Sequence, residues 1–376
     1  MRGPQYKIII QLKIGEITAG VLEQKNGNLD LIKIETRVIP LPEKLLLKEI
    51  WRKSKEILFK ILDESLRSFK RSEIMICLDL PFYDAETRVV KIARKNPFII
   101  EKKFADGLLN DEAAIFERAL ALRRETQGKD FEPIEKEIMG SLLNGYPVKN
   151  INGKKVFEAE LFLYFSASPK DIIDELKKET EKIQPNLKIS FHTFPFIIYK
   201  TLSSVAKEKE NLLIFKLGKE ISEILLIEGG RIKELVSFAK GENFFGRRSA
   251  FRLNLSPEEG QNIANNYLQE KLNPEYNEKI RETMENAFKE FESDLKNSII
   301  MLGKEYFLPY NVLILSSRAF FPKIKNILEN ESFKNCTILK KSFEPELLDL
   351  KYAKPELGMN PELALLDLFA KRQNKK

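Results

Sequence analysis

Residues 6–34 and 212–238 carry the same order of elements, and no other feature of the chain constrains its fold as much. Residues 6–12 form an apolar run and 16–23 a second. The turn Asn26-Gly27-Asn28 then leads into an alternating run at 29–34. Asn-Gly tolerates the positive φ of a tight hairpin, so the three runs predict an antiparallel meander. Residues 212–215, 221–228 and 232–238 repeat the pattern, with Gly229-Gly230-Arg231 as the tight turn. After the first copy, Pro40 and Pro42 open a predicted helix over about 43–69, whose Leu46, Ile50, Ile57, Ile61 and Leu62 fall near helical spacing. The apolar run 74–80 follows as a buried strand. After the second copy come helices at 256–271 and 275–302 and a strand at 312–316. Ser256 and Glu259 form a capping box at the start of the first of these helices. Meander, helix and strand make an α/β unit, and the chain reads as two of them.

Between the copies the pattern changes, from about Phe82 onward. A strand is expected at 87–92, a charged helix at 111–126 and a strand at 133–143 that ends in Asn144-Gly145-Tyr146-Pro147. Lys149 to Lys154 forms another turn, and 156–166 is a strand in which Glu158 and Glu160 alternate with apolar neighbours. Ser168 as N-cap and Pro169 at the first helical position then open a helix to 182. Residues 84–185 therefore read as a small α+β insert. The expected organisation is 1–83 with 346–376 as one lobe, 186–240 with 311–345 as the other, and 241–310 as a helical subdomain. Helices are expected at 321–329 and 361–372.

Composition narrows the chemistry. The 376 residues contain 17 glycines, below the usual share of about 7%, a thin stock for a nucleotide site built from several glycine turns. His192 is the single histidine, so a histidine metal cluster is excluded. Cys77 and Cys336 lie far apart on apolar runs, which excludes a structural zinc site and gives no sign of an oxidised, secreted chain. Sixty-three Lys and Arg against 56 Asp and Glu give a net charge of +7. That balance permits an acidic partner or a membrane surface, but it is spread along the chain. The start MRGPQYKIII does not read as a signal peptide, and no run of apolar residues is long enough to span a bilayer. The expectation is a soluble cytoplasmic protein.

Two α/β halves that each open with a strand hairpin resemble the actin-like ATPase fold, the ribonuclease H-like unit in duplicate. The run from Glu135 to Val148, then Gly153-Lys154 and the strand at 156–166, resembles the small α+β insert of FtsA-type bacterial actins, which include cell-division FtsA and pilus-assembly PilM proteins. In the second half, Ile227 to Ile232, Gly241-Glu242-Asn243 and Leu255 to Ile263 look like the same family's segment after its second phosphate loop. The resemblance covers about residues 6–340. It implies a two-lobed α/β fold with an FtsA-type insert that carries partner contacts.

The family's nucleotide motifs are altered here. Its first phosphate loop reads Asp-x-Gly-Ser/Thr-x-x-x-Lys. On that pattern Gln11 stands for the aspartate, Lys13 for the glycine and Thr18 for the lysine. The second loop reads Asp-x-Gly-Gly-Gly-Thr-Thr in the family. Here Lys216 replaces the aspartate, Gly218 is the one glycine kept, and Lys219 follows. The family's ribose-binding Glu and Lys fall on Gln261 and Ala264, and its glycine-rich adenosine loop falls on Ser316 and Ser317. Magnesium needs carboxylate oxygens, and side chains at glycine positions block backbone approach to phosphate. The resemblance thus implies a pseudo-ATPase with neither metal nor cofactor. It would serve as an adaptor in a cytoplasmic, possible peripheral-membrane assembly. The implied partners are the tail of the tubulin-like division protein or a peptide of a pilus inner-membrane component, with self-association open.

A divergent, filament-forming ATPase using ATP and magnesium is the second reading. It needs a carboxylate to replace Gln11, and Glu16, Glu220 and Glu223 are the candidates. Otherwise these glutamates pair with Lys13, Lys216 and Lys219, which could also attract an anion. A sugar kinase is a third reading, disfavoured by the insert. His192, among aromatics, reads as a core or boundary residue. Arg247, Arg248 and Arg252 form a basic cluster without the aromatic interleaving of a nucleic-acid site. The helix at 361–372 with its basic end fits either an interfacial membrane helix or a helix packed on the first lobe.

Overall fold

β1 (Tyr6–Lys13), β2 (Glu16–Lys25) and β3 (Asn28–Val38) form the antiparallel meander that the first pattern requires. Asn26 and Gly27 take φ values of 51° and 80° at its turn. The computed structural model describes residues 5–41, 46–123, 130–205, 209–271, 277–348 and 360–374. α1 (Leu47–Ser68) lays Ile50, Leu58, Ile61 and Leu62 on the sheet, against Ile8, Ile10 and Leu12. Its expected start at residue 43 lies outside the described residues. β4 (Ser72–Leu78) then joins β1 in parallel.

The insert departs from expectation in three places. β5 (Asp84–Ile100) runs much further than the strand at 87–92, past an irregularity between Ala93 and Phe98. Arg94, Lys95 and Pro97 mask it in the sequence, yet an edge strand tolerates charge and proline because one side of its backbone is unpaired. α2 (Lys102–Arg123) starts nine residues earlier than expected; the expected end at 126 lies outside the described residues. β6 (Phe131–Leu143), β7 (Tyr146–Pro147) and β8 (Lys154–Pro169) complete a sheet of order β5-β8-β6-β7. On this sheet Phe116 and Leu120 of α2 pack against Leu161, Leu163 and Phe165. Ser168 is not a helix cap: it is buried in β8, opposite Glu132 of β6, and Pro169 precedes α3 (Lys170–Ile183) without a side-chain cap. Pairing of the long strand outweighs the local Ser-Pro signal.

β9 (Ile189–Thr193) and α4 (Phe194–Val205) come next. β9 pairs in parallel with β4, which places 186–204 in the first unit and not at the start of the second lobe. The second meander is β10 (Leu212–Leu217), β11 (Ser222–Glu228) and β12 (Arg231–Phe238). It is followed by α5 (Glu242–Leu253), α6 (Pro257–Leu268), α7 (Asn277–Glu305) and β13 (Asn311–Leu315). α8 (Phe321–Leu328), a short 3-10 helix at Glu331–Cys336 and β14 (Glu344–Leu347) precede α9 (Pro361–Gln373). Both halves of the capping box at Ser256 and Glu259 form.

The chain divides into two compact units, Met1–Ser204 with Tyr352–Lys376, and Val205–Lys351. Their principal sheets have matching orders, β3-β2-β1-β4-β9 and β12-β11-β10-β13-β14. In each, the central strand is antiparallel to the second strand of its meander and parallel to the strand that returns after a helix. α9 returns to the first unit and buries Leu363, Leu365, Leu366, Phe369 and Ala370. The packed reading of that helix therefore holds, and its apolar positions are not available to a bilayer. Among the described residues, no helix is long and apolar enough to cross a membrane.

Candidate functional site

The turn between β1 and β2 passes through Gly15, whose φ of +81° favours glycine. The register sets Thr18 opposite Gln11 and Glu16 opposite Lys13. Alternation along β1 sends Ile10 and Leu12 to the core and leaves Gln11 and Lys13 on the other face. The start of α9 covers that face. Gln11 is fully buried, and its Nε2 donates to Glu362 Oε2 at 2.8 Å and to Asp79 Oδ2 at 3.2 Å. Its Oε1 is buried with no hydrogen-bond partner. Lys13 Nζ lies 2.7 Å from Glu16 Oε1 and 3.0 Å from Glu362 Oε2. Burial alone would lower the ammonium pKa, but Glu362 and then Glu16 outweigh it and hold the group above the ordinary lysine value. Thr18 is buried, with its hydroxyl 3.3 Å from that of Thr36.

Two of the carboxylates here, Asp79 and Glu362, are absent from the sequence reading, which held Glu16, Glu220 and Glu223 to be the nearby candidates. Asp79 follows β4, and its amide donates to Leu12 O at 3.0 Å. A signal existed: an aspartate closes an otherwise apolar parallel strand, at the carboxyl end where α/β folds place ligands. Glu362 has no such local signal. It is set by the start of α9, where Asn360 Oδ1 accepts from Leu363 N at 2.7 Å and fixes the first turn. A carboxylate in that turn also complements the helix dipole.

The corresponding loop of the second unit is closed by its own side chains. Lys216 and Glu223 face each other across β10 and β11 with Nζ to Oε1 at 3.1 Å, both buried. Gly218 N donates to Ile221 O at 3.1 Å, and a Cβ on Gly218 would come within 2.6 Å of that oxygen. The carbonyls of Gly218 and Lys219 accept from the amides of Glu242 and Asn243, each at 2.9 Å. Two donors that a helix start could offer an anion are therefore engaged. Lys219 pairs with Glu242 at 2.7 Å. Buried Glu220 takes Asn243 Nδ2 at 2.8 Å and Arg247 at 2.6 Å. Gln261 and Ala264 lie on α6. The Gln261 side chain rests where a Cβ on Gly246 would stand, and Ala264 is buried in the core. Ser316 and Ser317 follow β13, with Ser316 Oγ donating to Ser317 O at 3.1 Å.

The basic cluster lies within α5 and is largely paired, Arg247 with Glu220 and Arg248 with Glu290. His192 is a boundary residue. Its ring stacks on Phe196 at 5.9 Å, meets Phe369 edge-on at 4.9 Å, and sets Nδ1 3.3 Å from Glu135 Oε1. Glu135, buried on β6, also accepts from Thr193 N and Thr193 Oγ1 at 2.9 Å and from Ser166. This polar network ties the insert to the first sheet, and no sequence pattern announces it.

No protein-family model matches the sequence, and no curated protein matches it. Solved structures do. The chain is similar to the PilM-PilN type IV pilus biogenesis complex, with 14% identity over 98% of each chain and a TM-score of 0.60. It matches the ethanolamine utilization protein EutJ from Carboxydothermus hydrogenoformans with 12% identity, over 97% of this chain and 90% of that one, at a TM-score of 0.46. It matches the cytoplasmic domain of EpsL, an inner membrane component of the type II secretion system of Vibrio cholerae, with 8% identity over 97% and 94% and a TM-score of 0.40. The duplicated sheets, the insert and the first of these matches together give the chain an actin-like α/β fold with a small α+β insert.

Proposed function

We propose that this chain is an actin-fold adaptor of the PilM kind, which gathers protein partners at the cytoplasmic face of a type IV pilus or related assembly and does not hydrolyse ATP. The observation that carries the reading is the side-chain set around Gln11. Where an ATPase of this fold needs a carboxylate oxygen toward magnesium, Gln11 points an amide N–H at Glu362 and Asp79. Lys13 and Lys216 bring ammonium groups to the two loops, where they oppose a second cation. Glu16, Glu223 and Glu220, the candidates from the sequence for restoring the function, are each paired with a cation of their own unit. The pilus reading is preferred to cell division because the likeness to the PilM-PilN complex extends over nearly the whole of both chains.

A divergent ATPase is the second reading, and Asp79 favours it. Its Oδ2 lies 3.2 Å from Gln11 Nε2 and is the carboxylate such an enzyme would use.

The adaptor reading is tested with a labelled peptide of the cytoplasmic segment of the pilus inner-membrane protein from the same genome. Fluorescence anisotropy should show saturable binding that magnesium and ATP leave unchanged. No saturable binding, or binding that requires ATP, would overturn it.

A further inference from the structure

The two strand ends and the turns at one end of the insert meet in a single place. Ile99 and Ile100 of β5 pair with Lys155 and Lys154 at the start of β8. Gly153 N donates to Ile100 O, and Lys102 N donates to Asn152 Oδ1, both at 2.8 Å. The start of α2 and the turn before β8 are thus fixed to the same end. The hairpin tip joins them, because Asn144 Oδ1 accepts from the amides of Phe157 and Glu158 at 3.0 Å.

This end is strongly basic. β5 contributes Arg94 and Lys95, and α2 contributes Lys102 and Lys103. The turn and β8 add Lys149, Lys154 and Lys155. All are exposed, and none of the ion pairs among the described residues includes them. The Arg94 guanidinium stacks over Phe98 at 4.7 Å and Phe104 at 5.6 Å, which holds it at the rim. Glu101 and Glu158 are the carboxylates present. Large apolar side chains stand between the cations: Ile99 is 55% exposed, Phe157 53% and Tyr146 75%.

We propose that this end of the insert is a docking face for an anionic bilayer surface. Lysines attracted by acidic headgroups, with apolar and aromatic tips that enter the headgroup boundary, are the two contributions that hold a peripheral protein on a membrane. Arg94 lines a small cavity with Phe98, Ile99, Glu101 and Phe104, and the exposed lysines stand outside it, where an extended acidic surface can meet them together. Phe157 and Tyr146 would also suit stacked bases, but Ile99, exposed beside them, has no ring for a base to stack on, and the test below separates the two occupants. The inference rests on the charge and exposure of the insert, independently of the adaptor reading.

The test is co-sedimentation of the full chain with vesicles of phosphatidylcholine alone and of equimolar phosphatidylcholine and phosphatidylserine. Binding is expected to the acidic vesicles only, and to weaken as salt is raised. The double variant Lys154→Glu/Lys155→Glu should bind at least about tenfold less, with an unchanged melting temperature. Phe157→Ser should weaken binding while leaving its salt dependence intact. The control Lys304→Glu/Lys340→Glu, on the second unit, should bind as the parent does. No binding to acidic vesicles, equal loss in the control, or capture of polyglutamate or single-stranded RNA in place of vesicles would overturn the proposal.

Discussion

Glu362 Oε2 accepts a hydrogen bond from Gln11 Nε2 at 2.8 Å, across 351 residues of chain, and sits 3.0 Å from Lys13 Nζ. One carboxylate of the last helix therefore holds two of the three altered positions of the first loop. Replacing it leaves a buried amide short of an acceptor and removes one of two counter-charges from a buried ammonium. Glu362→Ala should cost about 1–3 kcal/mol, read from denaturant midpoints at constant m-value. A loss near zero would mean that the start of α9 does not anchor this loop.

Lys216 and Glu223 form a second such pair, buried between neighbouring strands. Removing one partner takes a counter-charge from a buried ion, so Glu223→Ala should destabilise by about 3–5 kcal/mol. The double variant Lys216→Met/Glu223→Leu should recover most of that loss, because an apolar pair of similar size avoids the desolvation cost. A double-mutant cycle checks it, and simple additivity of the two single changes would contradict it.

Much of this was legible beforehand, and the pattern of what was not has a physical basis. The meanders were readable because Asn26-Gly27 and Gly229-Gly230 impose local turn geometry, and the capping box at Ser256 and Glu259 is likewise complete within four residues. Ser168 was misread because its local signal competes with the strand pairing of Glu132, which is set far away in sequence. The full length of β5 was hidden by charge and proline that only an edge position permits. The expected pairing of the loop lysines with Glu16, Glu220 or Glu223 holds for Lys13 with Glu16 and Lys216 with Glu223, which the strand registers set opposite each other, whereas Lys219 meets Glu242 at the start of α5. Glu362 and Glu135 belong to contacts that exist only after the chain has closed on itself.

Glu73 gives a test in acid. It faces Lys7 at 3.0 Å and Lys188 at 3.3 Å. Burial pushes its carboxyl pKa up, but the hydrogen bond and charge of Lys7, then the charge of Lys188, hold it below the ordinary glutamate value. A carboxyl whose pKa falls on folding stabilises the fold above its unfolded value, about 4.3, and that stability is lost as pH falls through the folded value. Glu73→Gln should therefore lose less stability than the parent between neutral pH and about pH 3. Denaturant midpoints at the two pH values measure the difference, and equal losses would contradict the assigned role of Lys7 and Lys188.

The central claim is that the altered loops no longer serve magnesium and ATP, and titration calorimetry with a parallel melting curve tests it most directly. The account predicts no heat and no shift in melting temperature at millimolar MgATP. Saturable heat would contradict it, together with a stabilisation of about 2.7 kcal/mol at a hundredfold excess over Kd. If Asp79→Asn then abolished that binding, the divergent-ATPase reading would replace the adaptor.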